Sequence, residues 1–188
     1  MREHRTDDWF DCAVLKAPDG SIKETGFVSG EWNRGDERKF PDEMKAKLGS
    51  GIASAIRSVD GDQILTIFVH LADRIVGWGY QRGEWNTTEE TVVQSDQLPD
   101  VVEGLSAVAT ESEITLYFSG KRFVSSVRWS NKTRAWDTTV RTYAEGAPGI
   151  FAAMFAGKQR VYYVKDDDEI GELLVDEKSW NVSSFEEA

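Results

Sequence analysis

The stretch RVYYVKDDDEIGELLVDEKSW, residues 160–180, joins two runs rich in β-branched and aromatic residues through four consecutive acids and ends on a tryptophan. Short runs of that composition bounded by turn formers read as strand, turn and strand. The pattern recurs along the chain. SGEWNRGD (residues 29–36) is repeated as RGEWNTTE (82–89), and looser copies are TRAWDTTV (133–140) and EKSWNVSS (177–184). The marker residues are Trp32, Trp85, Trp136 and Trp180, at spacings of 53, 51 and 44 residues. Each of the last three follows the same series of segments, for example GIASAIRSV, ILTIFVHL, RIVGWGYQ and EWNTTEETV in the second unit. The first unit lacks its opening segment.

A four-strand unit repeated every ~45–53 residues has the size of a propeller blade. The expected fold is therefore all-β. It is one domain over residues 1–188, a β-propeller of about four four-stranded blades near 8–40, 50–95, 103–143 and 148–188. Closure through oligomerisation, as a homodimer, is part of that expectation. A β-sandwich would fit the strand content but not the repeating register. Small residues after Gly51, Gly104 and Gly149 suit innermost strands crowded at an axis. FPDEMKAKLGSG (residues 40–51) is expected to hold a short helical turn.

Composition narrows the function. The net charge of −11 disfavours nucleic acid and anionic membranes as partners. A single cysteine, Cys12, excludes an internal disulfide and reads as a small buried hydrophobe. No run nears the ~18 apolar residues of a membrane span. The N-terminus has no apolar signal-peptide region, so cytoplasmic residence is expected. The acids 166–169 lack the ligand spacing of an EF-hand loop and read as a solvated turn, and no metal or cofactor is expected. His70 and His4 stand alone, as packed or surface residues. No nucleophile elbow, zinc-binding helix or phosphate loop is present.

Register between units is close. From Glu24, Gly77 and Glu172 to the marker tryptophan is 8 residues; from Ser125 it is 11, an insertion near Asn131–Thr133. Twelve residues before Glu172 stands Arg160, whose counterparts are Cys12, Leu65 (within one residue) and Thr115. Residues 160–180 resemble a blade of the fungal fucose-specific lectins, with an IRVYYQ-like strand, an acidic turn, an IRE-like strand and a GGW-like strand. The resemblance spans most of the chain as a weak four-fold pattern and is specific in the fourth unit.

It implies a saccharide clamp in which Arg160, Glu172 and Trp180 grip fucose between blades. A guanidinium fork donates, a carboxylate accepts from vicinal hydroxyls, and an aromatic covers the apolar edge. The first unit keeps Glu24 and Trp32, while the second and third keep Trp85 and Trp136. A cross-strand ion pair and inter-blade packing are the structural readings of the same residues. The leading expectation is a lectin-like protein binding a fucose-type saccharide. One alternative is a lectin-fold enzyme of fungal natural-product biosynthesis, a cofactor-independent cyclase such as a hetero-Diels–Alderase joining a tropolone quinone methide to a terpene. In that case Tyr80, Arg82, Tyr117 and Arg128 are the donors facing an aromatic groove. A protein-interaction platform is the second alternative.

Overall fold

A computed structural model describes residues 12–28, 31–33, 40–59, 61–86, 89–98, 102–120, 123–144, 149–165, 169–175 and 180–184, with backbone alone for 12–16, 24–28, 31–33, 59, 144 and 180–184. The described residues form four antiparallel sheets, each built from sequence-adjacent strands. The first holds β1 (Cys12–Lys16), β2 (Ile22–Val28) and β3 (Glu31–Asn33). The second runs β4 (Ile52–Val59), β5 (Asp62–His70), β6 (Ile75–Gln81) and β7 (Glu84–Trp85), with β8 (Glu90–Val93) also pairing β6. The third is β9 (Gly104–Ala109), β10 (Glu113–Gly120), β11 (Phe123–Ser130) and β12 (Ala135–Ala144). The fourth is β13 (Ile150–Phe155), β14 (Lys158–Val164), β15 (Ile170–Val175) and β16 (Trp180–Ser184). These sheets are the blades, in chain order, of a β-propeller.

Tight turns set the register of each blade. Gly61 and Gly157 adopt φ of 88° and 76° at the tips of the β4–β5 and β13–β14 hairpins, a conformation in which a Cβ is strained. The third blade makes its equivalent turn with Glu111 and Ser112, held by the Thr110 amide donating to the Glu113 carbonyl.

Alternation along the strands gives each blade two apolar faces, so the core is layered between blades. Ile22, Met44 and Ala46 pack against Ile67, Val69 and Trp78 of the second blade. The opposite face of that blade, with Ala53, Ala55 and Phe68, meets Leu116, Phe118 and Trp129 of the third. Tyr117 and Val124 on the other face of the third blade meet Ala152, Val161, Tyr163 and Leu173 of the fourth. The first strands β4, β9 and β13 pack side by side. A Cβ on Gly51 would lie 2.7 Å from the Leu105 backbone nitrogen, so the small residues there do mark crowded inner strands.

Residues 40–51 contain no helical turn. They form turns and an extended piece in which Lys45 bridges Ser21. Met44 and Ala46 are buried while Lys45 and Lys47 are exposed, a period of two that the acidic and basic flanks disguise. The one 3-10 turn among the described residues lies at Ser95–Gln97, where Gln97 Nε2 donates to the Thr138 carbonyl of the third blade.

His70, at the end of β5, is 3% exposed. Burial, then the nearby Lys47 charge, lowers its pKa from the ordinary 6.5, against a raising backbone hydrogen bond at Val102 and the Asp73 charge. The folded state thus prefers neutral His70, and the unfolded chain binds its proton first. His70 stabilises fully above the unfolded pKa, and that contribution is lost as pH falls through the lower folded value. Melting at pH 7.5 and 5.5 should show a smaller acid-induced drop in Tm for His70→Gln than for the natural chain; an equal drop would remove His70 from the acid response.

Candidate functional site

Arg160 lies on β14 and Glu172 on β15. The ladder pairs Ala153 with Arg160, Tyr162 with Glu172, and Phe151 with Tyr162. Antiparallel partners share a sheet face, so Arg160, Tyr162 and Glu172 share one with Phe151 and Phe155. Arg160 Nη1 donates to Glu172 Oε1 at 2.6 Å, and this bond, first among its causes, raises the guanidinium pKa. Glu172 is 8% exposed. The Arg160 guanidinium also lies over the Phe155 ring at 5.1 Å. Sequence and structure therefore agree that the cation and the carboxylate meet. The bond orients both groups toward one another on this face.

The clamp stands on the outward face of the last described blade. In the second blade, Ala55 occupies the position of Phe151 and is buried; in the third, Ser106 does so, and its hydroxyl accepts from the Ala152 amide of the next blade. Phe151, Phe155 and Ile170 are 61%, 64% and 58% exposed. Among the described residues no further blade packs on this face, and these apolar side chains surround the ion pair.

The other predicted residues are placed as follows. Trp85 packs between Phe40 and Tyr80, with ring centroids 5.1 Å from each. Trp136 meets Phe68 edge-on at 5.6 Å, across the boundary of the second and third blades. Both markers fill space between blades. Arg82 sits at the β6–β7 turn with φ of 53° and pairs with Asp62. Tyr117 is fully buried and donates its hydroxyl to Gln159 Oε1 at 2.6 Å. Glu24 and Trp32 are placed by backbone register, opposite Val14 and Phe27. Trp180 stands opposite Val175, and Ser183 stands opposite Glu172.

Counting from the first hairpin revises the alignment of units. Thr115 does correspond to Arg160, but Ile64 rather than Leu65 holds that place in the second blade. Ser126, opposite Tyr117, corresponds to Glu172; Ser125 lies opposite Phe118 on the other face. Gly79, opposite Thr66, is the counterpart in the second blade.

A further regularity then emerges. The ladder row of Arg160 contains an arginine in all three of these blades, each from a different strand. It is Arg57 on β4, opposite Ile64, Arg128 on β11, opposite Thr115, and Arg160 on β14. Arg57 lies 3.7 Å from the Trp129 ring centroid, a cation–π contact that occupies the groove between the second and third blades. Sequence spacing within one strand cannot reveal this row, because it runs across strands.

No protein-family model matches the chain, and no curated protein matches it. Solved structures do. The six-bladed β-propeller lectin of Aleuria aurantia superposes with a TM-score of 0.68 at 22% identity, over 92% of this chain and 57% of that one. SapL1 lectin, solved with α-methyl fucoside, gives 0.63 at 16% identity over 91% and 58%. An arginine-substituted AofleA from Arthrobotrys oligospora gives 0.59 at 15% over 93% and 56%. The chain thus spans under three-fifths of the length of each of these lectins, and it has their β-propeller fold at low sequence identity.

Proposed function

We propose that this protein is a saccharide-binding propeller and that the outward face of the fourth blade takes an L-fucose-type residue. The observation that carries the reading is the 2.6 Å Arg160–Glu172 bond beside the exposed Phe155 ring. A guanidinium donor and a buried carboxylate acceptor, already held by each other, can engage neighbouring hydroxyls without much reorganisation. An aromatic ring next to them suits the methyl-bearing edge of a deoxyhexose. The fold match to lectins solved with fucosides supports the same choice. Packing of Trp85 and Trp136 between blades weighs against the cyclase alternative, which requires these rings to line open grooves.

Calorimetric titration with α-methyl L-fucoside tests the proposal. Arg160→Ala is expected to weaken binding by about ten-fold or more, the loss of charge-assisted hydrogen bonds. Glu172→Gln preserves shape while removing the charge and should weaken it in the same direction. Equal affinity in all three proteins, or no binding by the natural chain at millimolar fucoside, overturns the assignment.

A further inference from the structure

Tyr162 shares its sheet face with both members of the fourth-blade ion pair. It lies directly opposite Glu172 in the β14–β15 ladder and two residues after Arg160 on β14. Residues two apart along a strand share a face, so the three side chains start from one patch of sheet. Arg160 donates to Glu172 Oε1 at 2.6 Å and also hydrogen-bonds the Tyr162 side chain. A guanidinium can only donate, so the tyrosine oxygen accepts. The Phe155 ring lies against the same group, 5.1 Å from centroid to guanidinium carbon. Three strands thus hold one cation: β13 through Phe155, β14 through Tyr162 and β15 through Glu172.

The third blade shows what this ladder place does elsewhere. Tyr117 stands between Ser106 and Ser126 there, as Tyr162 stands between Phe151 and Glu172 in the fourth blade. Tyr117 is buried, and its hydroxyl crosses the boundary to Gln159 of the next blade. It is a tether between blades. The tyrosine of the fourth blade occupies the same place but bonds within its own strand, to Arg160. Its hydroxyl serves the ion pair. An arginine side chain has several rotatable bonds, so ordering it on a ligand opposes binding. Where Glu172 and Tyr162 order it beforehand, that loss of freedom falls on folding instead.

We infer that Tyr162 is the positioning residue of the fourth-blade site, accepting from Arg160 and so fixing the plane of a guanidinium that Glu172 alone would leave to turn about one hydrogen bond. The inference rests on the saccharide reading for the ligand and on the ladder geometry for the contact. Two acceptors at an angle define the plane of the fork, and a defined plane offers its remaining donors in one direction. Loss of the tyrosine hydroxyl should therefore weaken binding through Arg160, with both charges of the pair still in place.

The test uses Tyr162→Phe in the full chain, which keeps the ring and removes the hydroxyl, with Tyr117→Phe as comparison. Nitrogen-15 NMR of the arginine side chains, without ligand, reads the rotation of the Arg160 guanidinium; the signal lost in Arg160→Ala identifies it. Rotation should be several-fold faster in Tyr162→Phe than in the natural chain. Tyr117→Phe should leave it unchanged while lowering Tm, because that hydroxyl tethers blades. Calorimetry with α-methyl L-fucoside should show Tyr162→Phe weakened by about three- to ten-fold, the effect of one hydrogen bond. Equal Arg160 rotation in the natural chain and Tyr162→Phe overturns the inference. So does faster rotation with undiminished fucoside affinity. If the natural chain binds no fucoside, the saccharide reading falls by itself, and faster rotation in Tyr162→Phe alone still upholds the tyrosine as the group that positions Arg160.

Discussion

Phe68→Ala is expected to lower the unfolding free energy by about 3–5 kcal/mol, the cost of removing a fully buried aromatic side chain and leaving a cavity. Phe68 is 0% exposed and lies on the face of the second blade turned to the third. Its ring meets Trp136 edge-on, so the deletion removes both apolar area and an aromatic pair from one inter-blade layer. A Tm drop on the order of 10 °C should accompany it for a chain of this size. Leu48→Ala, at an exposed position, is the control and should move stability by less than about 0.5 kcal/mol. Urea unfolding followed by tryptophan fluorescence measures both. A Phe68→Ala loss below about 1 kcal/mol would mean that the second and third blades do not pack through this layer.

Gly171→Ala is the second large effect, expected at about 1–3 kcal/mol from overpacking. Gly171 stands opposite Tyr163 in the β14–β15 ladder, and the tyrosine ring lies across it. A Cβ there would come within 2.7 Å of the Tyr163 hydroxyl oxygen. The ring is buried in the layer between the third and fourth blades, so moving it disturbs that layer. Displacing it also shifts Glu172, the next residue, so fucoside affinity should fall together with stability. Trimming the ring provides the check. Combined with Tyr163→Leu, the alanine should cost much less than it does alone, the non-additivity expected of touching residues. Additive losses in thermal melts would show that the tyrosine does not lie over the glycine.

The blade plan was legible because turns and strands are local. The DG of residues 60–61 and the AG of 156–157 mark hairpin tips, and alternation in DQILTIFVH and RVYYV marks strands. The joining of Arg160 and Glu172 was legible as well, since one hairpin carries both. The equivalences between units were harder. The second strands β5, β10 and β14 have 9, 8 and 7 residues, so counting from the far hairpin drifts by one residue per blade. A slip of one moves a side chain to the other face, which is how Ser125 displaced Ser126. Arg57 and Arg128 drew no signal of a shared role because each reaches the common row from a different strand. Residues 40–51 misled through propensity. Glu43, Met44 and Lys45 favour helix, but pairing with Ser21 and burial of Met44 and Ala46 overrode that preference.

Every sheet is made of strands adjacent in sequence. During synthesis, each blade can complete its backbone pairing as soon as its own residues leave the ribosome, with short loops to close and little entropy lost in closing them. Stability then accumulates as a chain of nearest-neighbour terms, as in other repeat folds. Within the described residues the fourth blade contacts a neighbour on one face, so its amides should exchange with solvent sooner than those of the third. The Arg160–Glu172 pair therefore resides on a unit that opens more readily than the third blade. A saccharide bound there holds that unit closed by mass action, so occupancy should be read out as slower exchange along β14 and β15.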